Sequence, residues 1–257
     1  MEKLAGTRGT ALTIVQSPAG FGKTVLLSQW FERIRADASA RGAWLTLDEN
    51  DRELTRLVAD VGDTLASAGI SIPAECLSQA RSFADVVHRR ALICEAIDDR
   101  CGPVILIMDD YHRAATVEMD HFIEQMIRSN LGDLQIVLAT RDRVNLRVAD
   151  LEAQGLVRRL GARELTLTLD DTKALFGPGV PEPTLFALQD RTEGWAVALQ
   201  LARLWLEHDP ARYSEVAAFT GRIDALAIAL TRPSTPGVLK FAMTQQKPVA
   251  IWAHATP

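Results

Sequence analysis

Little in this sequence offers chemistry through sulfur or metal. It has three cysteines, Cys76, Cys94 and Cys101, and no two of them form a CxxC pair. They read as reduced, mostly buried thiols of a cytoplasmic protein rather than as a disulfide framework. The five histidines fall into no HExxH or comparable ligand spacing, which argues against a zinc site. No excess of basic charge is present either: the net charge is −5, so nothing global draws the chain to nucleic acid or to an anionic membrane. No apolar run approaches membrane-spanning length, and the first apolar strand arrives too early for a signal peptide to precede it. What remains, at 257 residues with 47% hydrophobic and 24% charged residues, is ordinary globular composition. That length suits one α/β domain and a smaller second one.

The strongest feature present is Ser17-Pro18-Ala19-Gly20-Phe21-Gly22-Lys23-Thr24. It follows an apolar β-branched run, about Thr10 to Gln16, and precedes an amphipathic stretch carrying Val25, Leu26, Leu27, Trp30, Phe31 and Ile34. Strand, tight loop and helix in that order are the context a phosphate-binding P-loop requires. Gly20 and Gly22 let the backbone curl so that successive N–H groups face inward, and the helix start adds its partial positive charge. Lys23 is then placed to reach the β- and γ-phosphates, and the Thr24 hydroxyl to ligate Mg²⁺. The phosphate-binding stretch runs from Ser17 to Val25; the strict pattern would begin with Gly where Ser17 stands.

Further along, Ala43 to Asp48 reads as a second buried strand, and Asp48 to Asp51 as the cap of a helix over Glu53 to Ala68. Residues 70–82 read as a loop. Phe83, Val87, Ala91, Cys94 and Ile97 mark the inward face of another helix, stopped by Gly102-Pro103. Val104 to Met108 is fully apolar and ends in Asp109 and Asp110, the form of a Walker B element. Asp109 is assigned to hold Mg²⁺ and Asp110 to polarise the attacking water; the metal's charge keeps both ionised. A helix follows over residues 116–130, then a strand over Leu134 to Thr140 ending in Arg141, placed to distinguish ATP from ADP. Arg143, Arg147, Arg158, Arg159 and Arg163 make the next region locally basic, and one of them could serve a neighbouring subunit as an arginine finger. Glu164 to Leu169 alternates as a fifth strand. Helices interrupted by Gly177-Pro178-Gly179 and Pro181 come after it, and the last of them, starting at Thr192-Glu193-Gly194, carries Trp195, Ala198, Leu199, Ala202, Trp205 and Leu206 on one face.

Five segments in fixed order carry a resemblance: the P-loop, Ala-Trp-Leu-Thr-Leu-Asp-Glu-Asn-Asp at 43–51, Ile-Met-Asp-Asp-Tyr-His at 107–112, Leu-Ala-Thr-Arg at 138–141, and Arg-Thr-Glu-Gly-Trp from 191. Together they resemble the ATPase module of the large MalT-like, LuxR-type transcriptional regulators of the STAND class, over about residues 4–226. The resemblance implies an α/β P-loop NTPase three-layer sandwich. Its five-stranded parallel sheet has the sensor strand between the Walker A and Walker B strands, and a small helical lid follows. It implies ATP or ADP with Mg²⁺ as cofactors, Arg141 as the sensor arginine, and Gly194 and Trp195 as a turn approaching the nucleotide.

The domain expectation is a nucleotide-binding domain over residues 1–169, a helical lid over 170–226 and a divergent tail over 227–257. The functional expectation is an ATP-binding, slowly hydrolysing switch module without a DNA-binding domain of its own; relatives continue beyond Phe219-Thr220-Gly221 into winged-helix, helical-repeat and helix-turn-helix parts. A non-catalytic module that pairs with full-length relatives is the alternative. The expected partners are nucleotide and a second copy or a full-length relative, with no direct DNA binding and no membrane.

Overall fold

The computed structural model describes residues 9–36, 40–99, 102–130, 132–207, 213 and 216. The largely apolar runs at 104–109 and 134–140 become strands with every residue buried, β3 (Val104–Asp109) and β4 (Leu134–Thr140). Strands buried on both faces need helices on both sides, and such runs belong to parallel sheets. The other strands are β1 (Leu12–Gln16), β2 (Arg41–Thr46) and β5 (Val157–Leu160). All pairings are parallel, in the order β2-β3-β4-β1-β5. β4 therefore lies between β1 and β3, as the resemblance implies. The helices are α1 (Lys23–Ala36), α2 (Leu54–Ser67), α3 (Phe83–Asp98), α4 (Val117–Ser129), α5 (Ala149–Ala153), α6 (Ala162–Leu165), α7 (Leu169–Phe176), α8 (Glu182–Thr192) and α9 (Ala196–Glu207). Among the described residues, no helix is long and apolar enough to cross a membrane.

The chain divides into two units: residues up to 18 with 23–164, and residues 19–22 with those from 165 onward. In the first, period-two alternation sets Ala43, Leu106, Ile136 and Leu12 in one cross-strand row, with Met108, Leu138 and Ile14 in the next. Leu57, Val61 and Leu65 of α2, Ile93 and Ile97 of α3, and Phe122, Ile123 and Met126 of α4 belong to the same buried cluster. Each such side chain contributes roughly 1.5–3 kcal/mol on burial. In the second unit, Leu175, Leu188, Ala198, Leu199, Ala202 and Leu206 bring α7, α8 and α9 around a smaller core that also takes in Val216.

Several expectations are corrected. The fifth strand is Val157–Leu160, paired with β1, while Glu164 to Leu169 contains the end of α6 and the start of α7. The alternation there is local, and Asp171 closes a capping box with Thr168 that starts a helix instead. β2 is an edge strand and only Ala43 in it is fully buried. Asp48 caps a single 3₁₀ turn, Glu49–Arg52, rather than α2 itself. A second 3₁₀ turn, Ala74–Leu77, interrupts the loop expected at 70–82. On α3 the inward face is Val86, Arg89, Ile93, Cys94 and Ile97, leaving Phe83 63% and Val87 43% exposed. Arg89 can turn inward because Asp85 accepts from its Nε at 2.8 Å and the Ser78 carbonyl takes a second N–H. Cys76 and Cys94 are free and buried. Cys101, the residues 219–221 and the tail at 227–257 lie outside the described residues, as does the N-terminal lead-in before Gly9.

Candidate phosphate-binding site

β1 leaves the sheet at Gln16, and the Ser17 N–H bonds to the Thr140 carbonyl at 3.2 Å, so the loop starts fastened to the end of β4. Gly20 (φ +82°) and Gly22 (φ +78°) adopt the left-handed backbone that the curled loop needs. Lys23 opens α1 and is 7% exposed. Its Nζ donates to the Ser17 carbonyl at 2.6 Å and the Pro18 carbonyl at 3.1 Å, so the ammonium is fixed over the loop. Burial and then the Arg141 charge pull its pKa down, while Asp109 and Asp110 pull it back up. The first turn of α1 carries no acidic side chain, which leaves its partial positive charge for an anion. Val25 sits half-buried in that same turn.

β3 delivers Asp109, 3% exposed, opposite Thr46 of β2. Burial pushes the Asp109 carboxyl above the usual carboxylate range and the Asp110 charge adds to this. A hydrogen bond from the Thr24 hydroxyl, the Asp110 N–H at 2.9 Å and the Lys23 charge oppose the rise. The chain turns sharply at Asp110, whose φ of 56° and ψ of 34° are left-handed. That conformation is uncommon for a residue with a side chain, and Asp is among those that tolerate it. The next residues form one 3₁₀ turn, Tyr111–Arg113. Tyr111 is buried and its hydroxyl donates to Asp120, while Arg52 Nε donates to the Arg113 carbonyl at 2.9 Å. Arg141, exposed, follows β4 directly, and its charge acts on both Lys23 and His112.

The first unit thus brings Ser17, Pro18, Lys23, Thr24, Asp109, Asp110 and Arg141 to the carboxyl ends of β1, β3 and β4. The loop tip, Ala19 to Gly22, belongs to the second unit and is bonded there. Val197 N donates to the Gly20 carbonyl at 3.0 Å, Trp195 Nε1 donates to the Ala19 carbonyl at 3.3 Å, and the Phe21 and Trp195 rings are tilted with centroids 6.5 Å apart. Gly194 is enclosed by Thr166, Leu167 and Gln189, and its carbonyl accepts from Leu167 N at 3.0 Å. His112 is the residue of this region that sequence reasoning named within a motif and gave no role. Its spacing two residues after Asp110 was the available signal.

The donor set fits a Mg-nucleotide. Mg²⁺ is held by one or two protein oxygens plus phosphates and retains water. The Thr24 hydroxyl, close enough to act on the buried Asp109 carboxyl, and that carboxyl itself could supply those oxygens. The described residues hold no cluster of three or more His, Cys, Asp or Glu that would suit an all-protein metal cage.

Sheet order, loop and acidic strand end together define a P-loop NTPase fold. Two solved structures share it: Cdc6p from Pyrobaculum aerophilum, with TM-score 0.50, 18% identity and coverage of 83% of this chain and 60% of that one, and Drosophila ORC bound to DNA, with TM-score 0.56, 15% identity and coverage of 90% and 67%. Within that class the chain is a MalT-like P-loop ATPase module. It is 31% identical over 212 residues to the HTH-type transcriptional regulator MalT of Serratia proteamaculans (strain 568), a match covering 79% of this chain and 23% of that protein. It is 30% identical over 210 residues to MalT of Yersinia enterocolitica, covering 79% and 22%. The chain therefore spans less than a quarter of the length of these curated relatives. No protein-family model matches it.

Proposed function

We propose that this chain binds Mg-ATP and hydrolyses it slowly, as the switch module of a MalT-type transcriptional regulator in the cytoplasm. Residues 1–169 carry the nucleotide chemistry and the lid expected over 170–226, helical in its described part up to Glu207, answers to it. The observation that carries this reading is the Lys23 ammonium fixed at 2.6 Å and 3.1 Å over its loop, with its charge acting on the buried Asp109. Lys23 meets the phosphates, the loop N–H groups cradle them, and Arg141 meets the γ-phosphate. Asp109 and Thr24 hold Mg²⁺, which supplies charge neutralisation to the phosphates when bound. Asp110 takes a proton from water as the water oxygen bonds to the γ-phosphorus. The bond from that phosphorus to the β,γ-bridging oxygen breaks, releasing ADP and phosphate.

Titration calorimetry with Mg-ATP tests the reading. Lys23→Ala should weaken binding by about 1.5–3 kcal/mol, roughly ten- to a hundred-fold, the worth of a charge-assisted contact. Equal affinity in both proteins would sink it. Binding that persists with no turnover at all would instead favour the non-catalytic module that pairs with full-length relatives.

A further inference from the structure

Behind Asp110 stands a histidine that the proposed chemistry has not used. His112 is 13% exposed in its side chain, and its Nδ1 lies 3.9 Å from Asp110 Oδ1. That nitrogen is out of reach of solvent and has no hydrogen-bond partner among the described residues. A buried ring nitrogen left unpaired is costly, whereas a carboxylate is purely an acceptor. A small rotation about either side chain closes 3.9 Å to a hydrogen bond, and only the tautomer with the proton on Nδ1 can make it. Distances of this kind tighten when a site is loaded. The imidazole is also presented rigidly. Its turn is fixed by Tyr111 on Asp120 and by Arg52 on the Arg113 carbonyl, and the left-handed Asp110 sets the two side chains facing each other.

We propose that His112 is a positioning residue for Asp110: its Nδ1–H holds the carboxylate in the orientation that accepts the proton of the attacking water. The inference rests on the hydrolytic reading above. Burial first, and then the charges of Arg141 and Lys23, lower the imidazole's pKa against the pull of Asp110 and Asp142, which favours the neutral ring that donates from one nitrogen.

Two measurements test it. The first needs no nucleotide: the ¹⁵N shifts of the His112 ring in the free protein, assigned by their loss in His112→Asn, should report the Nδ1–H tautomer and should relax toward Nε2–H in Asp110→Ala. An Nε2–H tautomer in the wild type would overturn the inference. The second is kinetic. His112→Ala should lower turnover roughly ten- to a hundred-fold, the worth of one charge-assisted hydrogen bond, with Mg-ATP affinity by calorimetry unchanged. His112→Asn, which keeps a donor, should recover most of the rate, and His112→Ala added to Asp110→Asn should cost nothing further. Unchanged turnover in His112→Ala, or an affinity loss as large as the rate loss, would also overturn it. Should the wild type fail to bind Mg-ATP, the hydrolytic reading falls while the tautomer result still decides the His112–Asp110 contact.

Discussion

Gly20 and the indole of Trp195 share a space that holds no methyl group: a Cβ built on Gly20 would lie 2.8 Å from Trp195 Nε1. The same indole nitrogen donates to the Ala19 carbonyl at 3.3 Å, and Gly20 is left-handed at φ +82°.

Gly20→Ala should therefore destabilise the protein in two separable ways. Left-handed backbone costs about 1–2 kcal/mol for a residue with a side chain. Displacing the indole loses its hydrogen bond, worth about 0.5–1.5 kcal/mol. In a Trp195→Ala background only the first part should remain. Urea denaturation of the four proteins measures the coupling, and an identical effect of Gly20→Ala in both backgrounds would refute the contact.

Gly194 is more tightly enclosed. At φ +73° a Cβ there would stand 2.2 Å from the Leu167 carbonyl oxygen and 2.6 Å from Thr166 Cγ2. A backbone oxygen cannot swing aside, so strain and overpacking add, and Gly194→Ala should cost about 2–5 kcal/mol. Gly155, at φ +72° with nothing within 4 Å, supplies the control, expected near 1–2 kcal/mol from strain alone. Similar losses of stability for the two variants would show that Gly194 is not confined as described.

Asp109 should limit the stability of the free protein. Its folded pKa is raised above 3.8, chiefly by burial, so between 3.8 and the raised value the folded state binds more protons than the unfolded one. Stability thus falls as pH rises through that window, and the loss persists at pH 7. Asp109→Asn lacks this titration and keeps an oxygen for the Asp110 N–H. Its melting temperature without nucleotide should exceed the wild type's at pH 7, and the gap should close below pH 3.8. A lower melting temperature at pH 7 would contradict the electrostatic picture of the site.

Tyr111 offers a fourth test. The residue is 1% exposed and its hydroxyl bonds Asp120, whose carboxyl pKa is already raised, first by burial. Tyr111→Phe removes the donor and should cost about 1–3 kcal/mol at pH 7. The Asp120 pKa then rises further, so the deficit should shrink as pH falls and the carboxyl takes up a proton. A deficit independent of pH would mean that the loss comes from packing and not from the carboxylate.

Where sequence and structure agree, the signal was redundant. β3 and β4 are buried throughout and mostly apolar, Asp109 ends the one and Arg141 follows the other, and Lys23 opens α1 behind the loop that β1 feeds. Where they part, a charged residue concealed a buried position. Val157-Arg158-Arg159-Leu160 carries two arginines and does not look like a strand, yet it pairs with β1 as an edge, where exposed charge is tolerated. On α3 the pair Phe83 and Val87 suggested the inward stripe, and the Arg89–Asp85 bond turned the helix face toward Val86 and Ile93 instead. The closeness of His112 to Asp110 depends on a left-handed residue between strand and turn, which periodicity does not report.

The bonds that hold the loop tip also set a timetable for its synthesis. Ala19 waits for Trp195, 176 positions later in the chain. At ribosomal speeds of about 5–20 residues per second, the phosphate loop emerges roughly 10–35 seconds before its partner exists. Through that interval β1 and α1 are already made, and the tip between them has only solvent, chaperone or free nucleotide to bond with. A nascent chain stalled short of residue 195 would carry a loop whose apex is unclasped, whatever the state of the sheet beneath it.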